Sequence, residues 1–246
     1  MKNRVPVRLR LDRLLVERGL ADSREKAQAL IMAGEVTVSG QKASKPGQPV
    51  AQDAAVEVLA RPPFVGRGGF KLAAALRHFA IDAAGKVCVD IGSSTGGFTD
   101  ALLQAGALRV HCVDVGAGQL AWSLRTDPRV RLHEGVNARA LTPAEIGEPA
   151  DLATCDVSFI SVTLVLPAVV RLLRPEGQLV ILIKPQFEVG KGQVGKGGIV
   201  RQPELHQAAC ERVTRAVREF GFQTDMIDSP ILGAEGNREF LLYAHH

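Results

Sequence analysis

Cysteines, aromatic side chains and long apolar runs are all scarce in this 246-residue sequence. The four cysteines are isolated from one another, and none has the close spacing of a zinc-binding or redox pair. They are Cys88, Cys112, Cys155 and Cys210, each within an apolar stretch. We therefore expect reduced cysteines in a hydrophobic core, with no disulfide and no metal site.

Apolar runs are too short for a membrane protein. The longest apolar region, residues 159–173, is interrupted by serine, threonine, proline and arginine. A membrane-spanning helix needs roughly 18 or more nearly unbroken apolar residues. The basic first 18 residues also lack the apolar stretch of a secretory signal. These features predict a cytoplasmic protein without a membrane span.

Positive charge is concentrated at the start of the chain. The net charge is +4, but residues 1–45 hold ten Lys and Arg against five acids, so the remainder is slightly negative. Such a concentration favours a module that binds a polyanion. A solvated helical surface without a partner is the alternative reading.

The first 60 residues predict a small domain of two helices and a hairpin. Apolar residues at helical spacing predict a first helix that stops at Gly19. Asp22 and Glu25 predict a capping box that opens the second helix. Alternating valines at 36 and 38 predict a strand, and a last strand is predicted over residues 55–59.

This order, from Arg10-Leu-Asp12 to Lys45-Pro46-Gly47, resembles the RNA-binding domain named after the fourth protein of the small ribosomal subunit. The resemblance implies an α+β domain that presents Arg and Lys to folded RNA through phosphate and shape contacts. The candidate RNA-binding residues are Arg8, Arg10, Arg24 and Lys45.

A proline- and glycine-rich join follows this domain. Residues 61–66, which include Arg61-Pro62-Pro63-Phe64, are predicted to be a linker, and residues 67–246 a second domain. A hinge and a plain domain boundary both fit this composition.

The second domain carries the pattern of a nucleoside site. An apolar strand over 87–91 runs into Gly92-Ser-Ser-Thr-Gly96-Gly97-Phe98, and a second strand over 109–113 ends in Asp114. In a doubly wound sheet this arrangement places the glycines against the ligand and the acid beside a ribose diol.

The loop favours S-adenosylmethionine over a dinucleotide. A dinucleotide fingerprint needs a second glycine where Ser94 stands, and the acid Asp90 just before the loop suits a sulfonium cation better than a pyrophosphate. We expect Asp90 to contribute to an acidic rim. Strands at 223–227 and 239–244 predict a terminal antiparallel hairpin, which is typical of methyltransferases. A dehydrogenase is the weaker alternative.

Four charged residues stand where structure alone does not require them. Asp156 and Lys184 end apolar strands, Glu239 opens the last strand, and Lys71 follows the glycine-rich join. A charge at the carboxyl end of a buried parallel strand faces the ligand crevice. Each residue alone could be a solvated strand end; four together favour a catalytic group.

Six segments, together with the N-terminal domain, resemble the TlyA family of haemolysin-named ribosomal RNA ribose methyltransferases, which are related to the FtsJ (RrmJ) enzymes. The segments begin at Gly68, Asp90, Asp114, Asn137, Asp156 and Lys184, and Lys184-Pro-Gln-Phe-Glu-Val-Gly-Lys is the most specific. The resemblance implies a Rossmann-like class I methyltransferase sheet. It also implies S-adenosyl-L-methionine as cofactor and ribosomal RNA or a ribosomal subunit as partner, with methylation at a cytidine. One departure is Gly66, where relatives usually carry a serine.

The family's catalytic tetrad maps to Lys71, Asp156, Lys184 and Glu239. The expected cofactor-binding residues are Asp90, Gly92, Ser93, Ser94, Gly96, Gly97, Phe98, Asp114, Asn137 and Asp156. Lys184 either deprotonates the 2′-hydroxyl or stays charged and stabilises the alkoxide, and the sequence leaves both open. A membrane-active haemolysin, disfavoured by only eleven aromatic residues, and an inactive ribosome-binding factor are the alternative functions.

Overall fold

A computed structural model describes residues 8–59 and 63–246. The chain divides into two compact units, Met1–Pro63 and Phe64–His246. Residues 1–7, at the basic start of the chain, lie outside the described residues, as do Arg61 and Pro62 of the predicted linker. The rest of the predicted linker, residues 64–66, falls within the second unit.

The first unit packs two helices on two small sheets. Its elements are β1 (Arg8–Arg10), α1 (Leu11–Glu17), α2 (Arg24–Met32), β2 (Val36–Val38), β3 (Gln41–Lys42), β4 (Pro49–Ala51) and β5 (Val56–Val58). Strand β2 lies between β3 and β5, while β1 pairs with β4. Its core is built from the apolar faces of the helices and β2, with Leu11, Leu15 and Ile31 fully buried.

The start of α2 differs from the prediction by one residue. Ser23 has the extended backbone of a cap, and its side chain accepts a hydrogen bond from the Lys26 main-chain nitrogen at 3.3 Å. Asp22 contacts the Lys26 ammonium at 2.6 Å instead. The capping box predicted at Asp22 is therefore wrong, because that carboxylate is engaged by a side chain one turn into the helix.

The second unit alternates helices and strands. Its longer elements are α3 (Gly68–His78), β6 (Val87–Ile91), α4 (Gly97–Gln104), β7 (Arg109–Asp114), β8 (Val130–Glu134), β9 (Ala150–Cys155), β10 (Leu173–Ile183), α9 (Pro203–Arg218), β11 (Gln223–Asp228) and β12 (Phe240–His245). The short helices are α5 (Trp122–Arg125), α6 (Pro143–Ile146), α7 (Leu166–Val170) and α8 (Pro185–Glu188). Single 3-10 turns occur at Ala138–Ala140, Val162–Leu164, Lys191–Gln193 and Lys196–Gly198.

These strands form a mixed sheet in the order β11-β12-β10-β9-β6-β7-β8. The strands from β6 to β10 are parallel, and β12 runs antiparallel between β10 and β11. The terminal antiparallel hairpin and the α/β class are thus confirmed. The chain winds outward in opposite directions from β6 and β9, so a crevice opens at the carboxyl ends of these two strands.

Both faces of the sheet are covered. The central strands are nearly continuous apolar runs, and residues such as Leu152, Val180 and Ile181 have no exposed surface. Each such side chain contributes about 1.5–3 kcal/mol by leaving water. The four cysteines are buried and unpaired, as predicted. Among the helices of the described residues, each is too short or too polar to cross a membrane.

Candidate functional site

A cavity of about 450 Å³ occupies the predicted crevice at the carboxyl ends of β6, β7 and β9. Its walls come mainly from four segments, which follow β6, β7, β8 and β9. Of the predicted cofactor residues, those that line it are Gly92, Ser94, Asp114, Asn137 and Asp156. The volume is in the range of pockets that hold a small ligand or cofactor.

The glycine-rich loop is packed too tightly for side chains at two positions. Gly92 has a φ of +81°, and a Cβ there would lie 2.6 Å from the main-chain oxygen of Asp156. Gly96 has a φ of +97°, and its Cβ would lie 2.2 Å from Leu124. Glycine therefore lets the loop pack directly against Asp156, which follows β9, and against Leu124 on α5.

Asp114 is held at the cavity wall by two main-chain donors. Its Oδ2 accepts a hydrogen bond from the nitrogen of Ser94 at 2.8 Å, and its Oδ1 accepts one from Gly116 at 2.7 Å. Each carboxylate oxygen keeps a further lone pair. The side chain is thus fixed in position and still able to accept hydrogen bonds from a diol.

Other predicted cofactor residues lie behind the cavity wall. Four of them are buried and are not among the described residues that line the cavity: Ser93, Gly96, Gly97 and Phe98. A Cβ on Gly97 would lie 2.9 Å from the nitrogen of Gly69, so the starts of α3 and α4 touch there. These residues support the glycine-rich loop by packing behind it, away from the cavity.

Asp90 does not form an acidic rim, and that expectation is wrong. Its carboxylate is fully buried and accepts hydrogen bonds from Thr99 Oγ1 at 2.7 Å and Thr154 Oγ1 at 2.9 Å. Successive strand residues face opposite sides of a sheet, and Ile91 is the one that lines the cavity. Burial raises the pKa of Asp90 to about 6.

Lys71 and Glu239 form one enclosed ion pair. Lys71 lies in the first turn of α3, and its Nζ is 2.5 Å from Glu239 Oε2 at the start of β12. Their side chains are only 9% and 3% exposed. Two charges so removed from water are stable only because they contact each other.

Asp156 and Lys184 form a second pair. They directly follow β9 and β10, and Asp156 Oδ1 lies 2.6 Å from Lys184 Nζ. The Lys184 ammonium also donates a hydrogen bond to Ser158 Oγ at 2.7 Å. Pro185 starts α8 at once, so the lysine stays at the end of the strand.

The two pairs lie at the same edge of the sheet. Because β12 is antiparallel to β10 and Phe240 pairs with Ile183, Glu239, which directly precedes β12, lies beside the position of Lys184. A Cβ on Gly68 would lie 3.7 Å from Asp156 Oδ2, so the helix that carries Lys71 starts against Asp156. The fold thus gathers all four predicted residues from distant parts of the chain.

The candidate RNA-binding residues form a different kind of cluster. Asp12, with no exposed surface, binds Arg10 through two hydrogen bonds of 3.0 and 2.8 Å and Arg24 through one of 3.0 Å. Gln28 donates to the same carboxylate at 2.9 Å. The hydrogen bond from Arg10 is the main cause that holds the pKa of Asp12 far below its usual value.

The arginine side chains remain half exposed, at 50% for Arg10 and 55% for Arg24. Arg8 and Lys45 are also exposed. A Cβ on Gly47 would lie 3.0 Å from Arg10 Nη1, so the turn after Lys45 passes against the Arg10 guanidinium. The first unit therefore presents a basic surface on which Arg10 and Arg24 are held in place by the buried Asp12.

Two family models match the chain, and each falls within one of its two compact units. The model described as FtsJ-like methyltransferase matches residues 64–246, and the S4 domain model matches residues 9–56. The chain belongs to the FtsJ-like methyltransferase family. The order of the seven-stranded sheet and the family model confirm the Rossmann-like methyltransferase fold. The resemblance to the TlyA family is also confirmed, since the relatives of this chain include a TlyA protein.

Relatives cover nearly the whole chain. A Mycobacterium tuberculosis protein named 16S/23S rRNA (cytidine-2′-O)-methyltransferase TlyA is 48% identical over 96% of this chain and 89% of its own length. YqxC of Bacillus subtilis, named as an rRNA methyltransferase, is 48% identical over 96% of this chain and 85% of its own. A solved Streptococcus thermophilus structure, named as a hemolysin, is 41% identical, with a TM-score of 0.74 over 98% of this chain and 89% of its own.

Three neighbours of the tetrad were not singled out from the sequence of this FtsJ-like protein. Ser158 holds Lys184, and Phe159 is 92% exposed at the cavity with a φ of +65°. Such a backbone is costly for an aromatic residue and is found mainly at functional sites. Glu188 is buried and bonds the segment that carries Ser158. Local sequence gives no signal for these contacts, because each depends on how two strand ends meet.

Proposed function

We propose that this protein transfers a methyl group from S-adenosylmethionine to the ribose 2′-hydroxyl of a cytidine in ribosomal RNA. The observation that carries the proposal is the pair of enclosed Lys–carboxylate contacts, Lys71–Glu239 and Asp156–Lys184, at the edge of a nucleoside-sized cavity. The M. tuberculosis relative is named for this chemistry, and the B. subtilis relative is named more broadly as an rRNA methyltransferase. A ribosomal RNA substrate implies a reaction in the cytoplasm.

The cavity suits S-adenosylmethionine. Asp114 would accept hydrogen bonds from the ribose diol, Asn137 would contact the adenine, and Asp156 would face the methionine end. The loop of Gly92 and Ser94 approaches the ligand through its main chain. No basic side chain is among the residues that line the cavity in the described chain, which suits a sulfonium better than a pyrophosphate. When bound, the cofactor supplies the electrophilic methyl group.

The tetrad then acts on the attacking hydroxyl. A ribose hydroxyl is a weak nucleophile, so a positioned lysine contributes either as a base or as a donor to the developing alkoxide. Lys184 is held by Asp156 and Ser158 at the cavity edge, where either role is open to it. Lys71 and Glu239 complete the charge balance beside it. Phe159, exposed and next to Ser158, offers a face on which the target base stacks.

RNA capture belongs to the first unit in this proposal. Arg10 and Arg24, fixed by Asp12, contact phosphates, and Arg8 and Lys45 extend the basic surface. Such contacts supply sequence-independent affinity that falls with salt.

The test is a methyl-transfer assay with purified protein, S-adenosylmethionine and separate small and large ribosomal subunits, followed by mass spectrometry of the nucleosides. We expect 2′-O-methylcytidine with the wild type and none with Lys184→Ala. Subunit binding without any ribose methylation would contradict the proposal and favour an inactive ribosome-binding factor. Release of a dye from phospholipid vesicles, in the same preparation, would favour the haemolysin alternative.

A further inference from the structure

A buried carboxylate joins the two segments that carry Asp156 and Lys184. Glu188 ends α8, four residues after Lys184, and its side chain is buried. Its Oε2 accepts a hydrogen bond from Ser161 Oγ at 2.6 Å, and its Oε1 accepts one from the main-chain nitrogen of Val162 at 2.8 Å. Both donors lie on the segment that follows Asp156.

Other contacts connect the same two segments. The rings of Phe159 and Phe187 lie 5.4 Å apart, and Lys184 reaches both Asp156 and Ser158. The guanidinium of Arg212, on α9, donates to the main-chain oxygen of Glu188 at 2.7 Å, which fixes the end of α8. Glu188 is therefore held from one side and holds the neighbouring segment on the other.

Burying a carboxylate only to hold two segments together costs desolvation free energy. Burial penalises its charged form, and its two hydrogen bonds only partly compensate. Burial accordingly raises the pKa of Glu188, while the bonds from Ser161 and Val162 oppose that rise. An apolar side chain would fill the space at lower cost but would leave the Val162 nitrogen without its acceptor.

We propose that Glu188 is a positioning residue for methyl transfer, fixing the segment 157–162 against the end of β10 so that Asp156, Ser158 and Lys184 hold their catalytic geometry. This inference rests on the proposed catalytic role of Lys184. A displacement of about 1 Å in a reacting group costs up to roughly 100-fold in rate. Loss of the Glu188 bridge therefore acts on turnover rather than on RNA capture.

The experiment measures the single-turnover rate of ribose methylation at saturating cofactor and ribosomal subunit. We expect Glu188→Ala to lower this rate about 10–100-fold while RNA affinity stays within about twofold. Glu188→Gln keeps an acceptor for Val162 and can donate to Ser161, whose hydroxyl can turn to Thr163 Oγ1 at 2.7 Å. We expect it to retain at least a third of the wild-type rate.

Hydrogen exchange supplies a readout that is independent of activity. Amides of residues 157–162 should exchange faster in Glu188→Ala than in the wild type. Glu148→Ala is the matched control, since it removes a carboxylate that bonds Arg109 and His111 on another part of the sheet. It should leave both the rate and the exchange of 157–162 unchanged. Ser161→Ala, a milder change, should lower the rate at least threefold, which keeps the test open if Glu188→Ala does not fold.

A folded Glu188→Ala or Ser161→Ala protein with the wild-type rate would overturn this inference. Equal losses in Glu188→Gln and Glu188→Ala would also overturn it, because charge rather than the bridge would then matter. Lys184→Ala separates the two proposals. If it is inactive while Glu188→Ala is fully active, only the role of Glu188 fails; if it is active, the tetrad fails and the role of Glu188 fails with it.

Discussion

Both units of this protein combine basic side chains with buried carboxylates, but they expose the charges differently. In the first unit Asp12 is buried while Arg10 and Arg24 remain 50% and 55% exposed. In the second unit Lys71 and Lys184 are only 9% and 12% exposed and contact Glu239 and Asp156. The first arrangement leaves guanidinium groups available to a polyanion, and the second removes ammonium groups from water.

In the proposed function, this difference separates RNA binding from methyl transfer. Exposed arginines attract phosphate over a distance and are weakened by salt, and their planar groups suit bidentate contact. Enclosed lysines act only on what enters the site, where electrostatic effects are stronger because water is excluded. Both pairs, of which Lys71–Glu239 is buried and Asp156–Lys184 is mostly shielded from water, cost desolvation energy that an apolar replacement would avoid. Their presence at a strand-end cavity therefore favours a catalytic role.

The largest expected effect is at Lys184. Lys184→Ala should lower the rate of methyl transfer by about 1000-fold or more, since it removes the group that we propose as base or alkoxide donor. Lys184→Arg keeps the charge but cannot act as a base at neutral pH. Single-turnover rates distinguish the two roles: substantial activity in the arginine variant, with its geometry confirmed, favours alkoxide stabilisation. Loss in both variants fits a base, and near-normal transfer by Lys184→Ala contradicts the tetrad.

Glu239→Ala should come next, with an effect on stability as well as rate. It leaves the Lys71 ammonium buried without its carboxylate, which costs about 3–5 kcal/mol in a buried pair. Thermal unfolding measures this loss. The double variant Lys71→Met/Glu239→Leu removes both charges and should recover most of the stability but none of the activity. Full activity in that double variant would show that the pair is structural.

The buried carboxylates of the two units should respond to pH in opposite directions. Bonds from arginines lower the pKa of Asp12, so its stabilisation is present above its unfolded pKa and is lost as pH falls below it. Burial raises the pKa of Asp90 from its ordinary value of 3.8 to about 6. Between about pH 4 and pH 6 the Asp90 carboxyl is protonated in the folded state and ionised in the unfolded state. The free energy of unfolding therefore decreases as pH rises through this range.

Asp90→Asn tests this sign. Asparagine is never charged, so it should gain about 2–3 kcal/mol relative to the wild type between pH 4 and pH 7. Denaturant unfolding at the two pH values measures the change. A difference between variant and wild type that does not depend on pH would show that Asp90 is ionised with an ordinary affinity for protons.

The smallest effect should be at the exposed surface. Arg24→Ala/Lys45→Ala should weaken RNA binding and flatten its dependence on salt, with each lost phosphate contact changing the slope by about one unit or less. Cofactor affinity should not change. Titrations at several salt concentrations measure the slope, and an unaltered slope would remove these two residues from the interface.

Much of the second unit was predictable, because its signals are local. A strand that ends in Asp114, an apolar strand that ends in Lys184, and glycines that must adopt positive φ are visible along the chain. The prediction for Asp90 was wrong because β6 is buried on both faces, so no alternation of polar and apolar residues shows which face Asp90 lies on. The roles of Asp12 and Glu188 were not predictable, since each depends on partners from other elements.

The most direct test of this division of labour measures RNA affinity and the single-turnover rate at saturating RNA in two variants side by side. Arg8→Ala/Arg24→Ala, which leaves Arg10 and Gln28 bonded to the buried Asp12, should lose affinity at least tenfold and keep a near-normal rate once RNA is saturating. Lys184→Ala should keep its RNA affinity and lose the rate. Loss of rate at saturating RNA in the arginine variant, or loss of RNA affinity in the lysine variant, would contradict the separation of capture from chemistry.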